Sequence, residues 1–183
     1  TAVNTSNTST GFGTTARSIA VNGNDATGTV NFTGSTALAT QPLTMTASAT
    51  ANSTLTGGLG ADLLTGGAGA DSLTGGAGID TINGNAGADT LVGDAGNDQL
   101  TGGEGADVVR GGTGWDTITL TETTSAADRV EITTAVAGTS ESFGQSVAGL
   151  ANDTGGDTVV GFRLGTDTIR LTATNVVNFV HAT

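Results

Sequence analysis

Seven aspartates recur at intervals of nine: Asp62, Asp71, Asp80, Asp89, Asp98, Asp107 and Asp116. Five residues before them stand Gly57, Gly66, Gly75, Gly84, Gly93, Gly102 and Gly111. Two residues before them stand Gly60, Gly69, Gly78, Gly87, Gly96, Gly105 and Gly114. Two residues after them comes an aliphatic side chain: Leu64, Leu73, Ile82, Leu91, Leu100, Val109 and Ile118. Glycine lets a backbone turn sharply and approach a ligand closely. The available donors are thus carboxylate oxygens and the carbonyl oxygens of glycine-rich turns. Such an all-oxygen, flexible set suits calcium, which takes six to eight oxygens at about 2.3–2.6 Å. Magnesium fits less well, because it demands strict octahedral geometry and dehydrates reluctantly.

The elements that must position these groups follow from the unit itself. Positions one to six, as in Gly66-Gly67-Ala68-Gly69-Ala70-Asp71, form turns, and positions seven to nine, as in Ser72-Leu73-Thr74, suit a very short strand. In a strand the middle side chain points opposite to its neighbours, so the aliphatic column turns inward while Thr, Ser, Asn and Gln face water. Such strands are stable only when stacked in parallel, at about 4.8 Å spacing. Two units close one flattened coil, and the seven units of 57–119 give three and a half coils. Stacking also sets like carboxylates side by side, which is repulsive unless a dication stands between them. The fold class is all-β, a parallel β-roll with β-rich flanks. Asn85 and Asp94 replace the second Gly of their units, and both types tolerate left-handed backbone.

Composition excludes other classes. The chain has 183 residues, with 17 acidic residues against five basic ones, a net charge of -12, and no Cys. All five basic residues are Arg, and a nucleic-acid surface needs a basic face, so nucleic acid is excluded as a partner. Disulfides and thiolate zinc sites are impossible. With five Phe, one Trp and one Met, a conventional large core is out of reach, and something else must hold the fold. No apolar run reaches transmembrane length. There is no recognisable signal peptide and no initiator Met, which points to a fragment or processed product. His181 is the only His, H-E-x-x-H and G-x-S-x-G are absent, and no catalytic residue is expected.

Three regions are expected: a strand-rich flank over 1–50, the roll over 51–121 and a β-rich cap over 122–183. In the first, Ser18–Val21, Thr29–Phe32 and Leu43–Thr46 read as strands of a small antiparallel element, with turn chemistry at Asn22–Asp25. The segment Ala51–Thr56 has Leu55 in the aliphatic phase but Ser53 where Asp would stand, and reads as the N-terminal edge coil. In the cap, Arg129–Ile132, Asp157–Val160 and Asp167–Leu171 read as strands, and 140–150 as a short helix or loop. Residues 165–172 match 114–121 at six of eight positions, which marks a degenerate terminal unit. Trp115 is expected to pack beneath this flank, and Arg110 to lie on the solvated face.

The nine-residue units resemble the RTX nonapeptide G-G-x-G-x-D-x-U-x, with U aliphatic. That resemblance implies a right-handed roll with ions held between turns two units apart on the same side. Asp62, Asp80, Asp98 and Asp116 would then line one edge, and Asp71, Asp89 and Asp107 the other. Carbonyls around the turn glycines named above would complete about five calcium sites, bringing the net charge to about -2. Asp157 and Asp167 resemble the segment after such rolls, but Gly161 and Arg170 replace usual acids, so capping is expected of them rather than metal binding. The resemblance further implies secretion by a type I system to the bacterial surface and folding when calcium is met outside. The Lys-free, Thr-rich flanks are similar to S-layer proteins. The expected function is a non-enzymatic, self-assembling surface-layer or fibre subunit; the alternatives are the export module of a secreted enzyme or a segment of an adhesin.

Overall fold

Short segments that alternate apolar and polar residues, separated by glycine turns, can bury their apolar face only against copies of themselves. The computed structural model describes residues 17–20, 30–33, 42–132 and 157–171, and all the regular structure there is strand. The strands are β1 (Arg17–Ala20), β2 (Val30–Thr33), β3 (Leu43–Thr46), β4 (Ser53–Thr56), β5 (Leu63–Thr65), β6 (Ser72–Ala77) and β7 (Thr81–Ala86). They continue with β8 (Thr90–Ala95), β9 (Gln99–Glu104), β10 (Val108–Thr113), β11 (Thr117–Thr119), β12 (Arg129–Ile132), β13 (Thr158–Val160) and β14 (Thr168–Leu171). Odd and even strands form two separate seven-stranded sheets. Every pairing is parallel, so the chain crosses from one sheet to the other at each turn, as a β-roll does.

The aliphatic column sets the register. In the odd sheet Met45, Leu64, Ile82, Leu100, Ile118 and Val159 are successive partners. In the even sheet Leu55, Leu73, Leu91, Val109, Val130 and Ile169 are aligned in the same way. From Leu55 to Ile118 each member of the column is at most 1% exposed. The two ladders meet between the sheets in a core one side chain deep, which Leu43, Ala47, Leu120 and Val130 extend beyond the repeats.

The stack is longer than the seven nonapeptide units, which supply only β5 to β11. The expected antiparallel element at the N-terminal side is not formed: β1 pairs with β3, and β2 with β4, both in parallel. Leu43-Thr44-Met45-Thr46 carries the same outward-Thr, inward-apolar alternation as the repeats, and that pattern overrides any local hairpin preference. The segment containing Ser53 is therefore an interior coil and not the edge. Trp115 does not pack beneath the flank; its side chain is 53% exposed, like that of Ile79 in the same position of its unit, at 61%. The turn directs position five outward. Asn22–Asp25, residues 140–150 and His181 lie outside the described residues. Among the described residues no helix is long and apolar enough to cross a membrane.

Leu91 is fully buried at mid-ladder. Leu91→Ala should lower stability by about 2–5 kcal/mol, read from thermal unfolding in calcium. Trp115→Ala should stay within about 0.5 kcal/mol.

Candidate metal centre

Position six of every unit lies at the end of a turn, where the chain enters the next strand. All seven repeat aspartates are at most 3% exposed. Hydrogen bonds tie them into two columns. The N–H of Asp62 donates to Asp80 Oδ1 at 2.7 Å, Asp80 to Asp98 at 2.8 Å, and Asp98 to Asp116 at 2.8 Å. On the other edge Asp71 donates to Asp89 at 2.7 Å, and Asp89 to Asp107 at 2.9 Å. One carboxylate oxygen of each residue is thus a stitch between coils.

Both columns run past the repeats. Asp116 N–H donates to Asp157 Oδ1, Asp107 to Asp128 Oδ1, and Asp128 to Asp167 Oδ1. Asp157 and Asp167 thus continue the two columns beyond the nonapeptide units. Asp128 was not anticipated, because its turn has none of the glycines. Its signal is the Asp-x-aliphatic triplet Asp128-Arg129-Val130, which Asp157 and Asp167 share. At the N-terminal side the backbone N–H groups of Leu43 and Ser53 take the aspartate's place, donating to Asp62 and Asp71 Oδ1.

The second oxygen divides the aspartates into two kinds. Oδ2 of Asp62, Asp71 and Asp167 accepts the position-two N–H of its own turn, from Gly58, Gly67 and Arg163, each at 2.7 Å. In the next five turns the backbone is different. Positions two and four have positive φ at Gly76 and Gly78, Asn85 and Gly87, Asp94 and Gly96, Gly103 and Gly105, and Gly112 and Gly114. In four of them the position-two N–H no longer serves the carboxylate, and Oδ2 of Asp80, Asp89, Asp98 and Asp107 is buried without a hydrogen-bond partner. Asn85 and Asp94, both at φ 73°, adopt the left-handed backbone expected of them.

Each of these oxygens lies close against the first-position glycine of its own turn. A Cβ placed on Gly84 would lie 2.5 Å from the Gly102 carbonyl oxygen and closer still to Asp89 Oδ2. Gly93, between Asp98 Oδ2 and the Gly111 carbonyl, repeats the arrangement. First-position glycines thus keep open a cradle lined by a carboxylate oxygen and by the carbonyl of the glycine two units on. Fourth-position carbonyls, of Gly60, Gly69, Gly78, Gly87 and Gly96, form another row against the fourth-position glycines of the following coil. Among the described residues no three acidic or imidazole groups cluster; the donors here are one carboxylate per coil plus backbone.

Burial pushes Asp80 and Asp107 up to about 6 and Asp89 up to about 7, from an ordinary 3.8. The N–H stitches pull the other way. Asp98 and Asp62 raise Asp80 further, Asp107 and Asp71 do so for Asp89, and Asp128 and Glu122 for Asp107. Asp62, Asp98, Asp128 and Asp157 are also raised, chiefly by burial. Buried carboxylate oxygens without donors, beside glycine carbonyls of the neighbouring coil, fit a hard dication. Asp80, Asp89, Asp98 and Asp107 with the neighbouring glycine carbonyls would hold it, and its charge would replace the missing donors.

The strands thus form a parallel β-roll with an aspartate column along each edge. The family described as RTX calcium-binding nonapeptide repeat (4 copies) matches residues 50–82, 65–100 and 83–118, so that segment is similar to RTX repeats. The solution structure of a subunit of the Azotobacter vinelandii mannuronan C5-epimerase is 33% identical. That likeness covers 45% of this chain and 45% of the other, with a TM-score of 0.30; the chain thus spans less than half of that structure. No curated protein sequence matches.

Two predictions follow from the cradle. Gly84→Ala should weaken calcium binding at the Asp89 turn and also loosen the stack there, because its Cβ would lie 2.5 Å from the Gly102 carbonyl oxygen; calorimetry and thermal unfolding read the two effects. Without metal, Asp80, Asp89 and Asp107 bind protons more tightly folded than unfolded. That stability is complete below about pH 4 and is lost as pH rises through about 6–7. In chelator, the β circular-dichroism signal should therefore grow as pH falls from about 8 to about 5.

Proposed function

We propose that this chain is an extracellular, calcium-dependent structural protein, a surface-layer or fibre subunit whose roll closes when calcium binds. The observation that carries the calcium dependence is the set of four buried, unpartnered Oδ2 atoms at Asp80, Asp89, Asp98 and Asp107. In water these carboxylates are solvated; inside the roll they repel their column neighbours and have no donor. A buried unpaired charge costs several kcal/mol, and the core opposing that cost is only one side chain deep. Binding of a dication to the folded state alone would then drive folding by mass action.

Five turns share the positive-φ geometry, and in four of them Oδ2 of Asp80, Asp89, Asp98 and Asp107 has no hydrogen-bond partner. That supports about five calcium ions, one at each of Asp80, Asp89, Asp98, Asp107 and Asp116, with glycine carbonyls as the remaining ligands. Where calcium is scarce the chain stays open for export; where it is abundant the coils close. Support for a structural role comes from the stack itself, with outward rows of Thr, Ser, Asn and Gln on short parallel strands, and from Lys-free flanks similar to S-layer proteins.

Calorimetric titration should give about five calcium ions per chain, and Asp89→Asn with Asp98→Asn should remove about two. Electron microscopy should show sheets or filaments that form with calcium and dissolve with chelator. A chain that binds calcium but stays monomeric would overturn the surface-layer reading in favour of an export module of an enzyme. A chain fully folded in chelator at neutral pH would overturn the calcium reading itself.

A further inference from the structure

The edge that carries Asp71, Asp89 and Asp107 ends differently from the way it runs. Within the repeats the position-four N–H donates to a position-three carbonyl two units on: Gly78 to Ala95 at 2.8 Å, Gly87 to Glu104 at 2.9 Å, Gly96 to Thr113 at 2.9 Å. Gly105 instead donates to a side chain, Glu122 Oε2, at 3.4 Å. Glu122 Oε1 accepts the Ala126 N–H at 2.6 Å and the Arg163 guanidinium at 2.9 Å. A second guanidinium nitrogen donates to the Glu122 carbonyl at 2.7 Å. The Glu122 side chain is 1% exposed. Among the described residues Arg163 occupies position two of the last turn on this edge, and its backbone N–H serves Asp167 Oδ2. Beside it, the Glu104 carboxylate accepts both the N–H and the hydroxyl of Thr123 and of Thr124.

Here the carboxylates of Glu104, Glu122 and Asp167 all have donors on both oxygens, whereas Asp80, Asp89, Asp98 and Asp107 each keep an orphan. We propose that Arg163 is an in-chain counter-ion that closes the final turn of this edge without metal, giving the roll one calcium-independent end. Its guanidinium supplies, from the protein, the positive charge and the hydrogen bonds that the repeat turns lack. The Glu104 clamp fixes the irregular 120–128 loop onto the last nonapeptide turn of that edge, so that the locked end presents an ordered coil to the repeats before it. This inference rests on the calcium reading of the repeats, and its test separates the two.

The test is hydrogen exchange on the full chain, in chelator and in saturating calcium. Residues 75–101 should exchange as an unfolded chain in chelator and slow by about 100-fold or more with calcium. Peptides covering 120–128 and 161–168 should be protected in both conditions, changing by less than about 3-fold. Arg163→Gln should strip that protection in chelator, because it leaves Glu122 buried and unpaired. The double variant Glu122→Gln with Arg163→Gln, which removes both charges, should regain most of it. Equal exchange of the two regions in chelator, or an Arg163→Gln chain indistinguishable from the parent, would overturn the proposal while leaving the calcium reading intact. Protection of 75–101 in chelator would overturn the calcium reading and, with it, the contrast on which the proposal stands.

Discussion

The fold depends on what a buried carboxylate oxygen is given to bind. Each repeat aspartate uses Oδ1 to hold the backbone of the preceding coil, so the side chain cannot be withdrawn into water without unstitching the stack. Its other oxygen is then committed to the interior. Where the turn can offer an N–H, as at Gly58 and Gly67, the oxygen accepts it. In the following turns the backbone swings into positive φ and the N–H is lost to the carboxylates of Asp80, Asp89, Asp98 and Asp107, while the neighbouring glycine carbonyl stays close, as it is at Gly57 and Gly66. That loss turns a self-satisfied cap into a site of concentrated negative potential.

The remaining features are consequences of this arrangement. The aliphatic ladder is fully buried but thin, and fixes register more than it supplies stability. Glycine at position one is required because any side chain would occupy the cradle between Asp Oδ2 and the carbonyl from the next coil. Outward Thr and Ser rows keep the sheets soluble and leave the edges as the place where charge is managed. Coils without the full turn close by other means: backbone donors at Leu43 and Ser53 on one side, Glu104 and the Arg163–Glu122 pair on the other.

Much of this was legible in the residues. The nine-residue period gave the strand, the turn and the inward column, the resemblance to the RTX nonapeptide implied the two aspartate edges, and Ser53 and Leu55 were visible as a variant of the same unit. What escaped was whatever the period does not encode. Asp128 sits in a turn without glycine, after a three-residue lengthening of the coil, so only its Asp-x-aliphatic triplet marks it. The parallel course of the N-terminal strands was hidden because short Thr-rich segments fit a hairpin as well as a roll, and only pairing across the stack decides between them. The outward course of Trp115 follows from turn geometry rather than from hydrophobicity. The division of the aspartates into two kinds depends on φ at position two, which glycine leaves open.

The most direct test is anomalous X-ray diffraction from crystals grown in calcium. The account predicts anomalous peaks about 2.3–2.6 Å from Oδ2 of Asp80, Asp89, Asp98 and Asp107, each also within reach of glycine carbonyls. Well-ordered turns without such peaks, with those oxygens accepting water or backbone N–H groups instead, would contradict it.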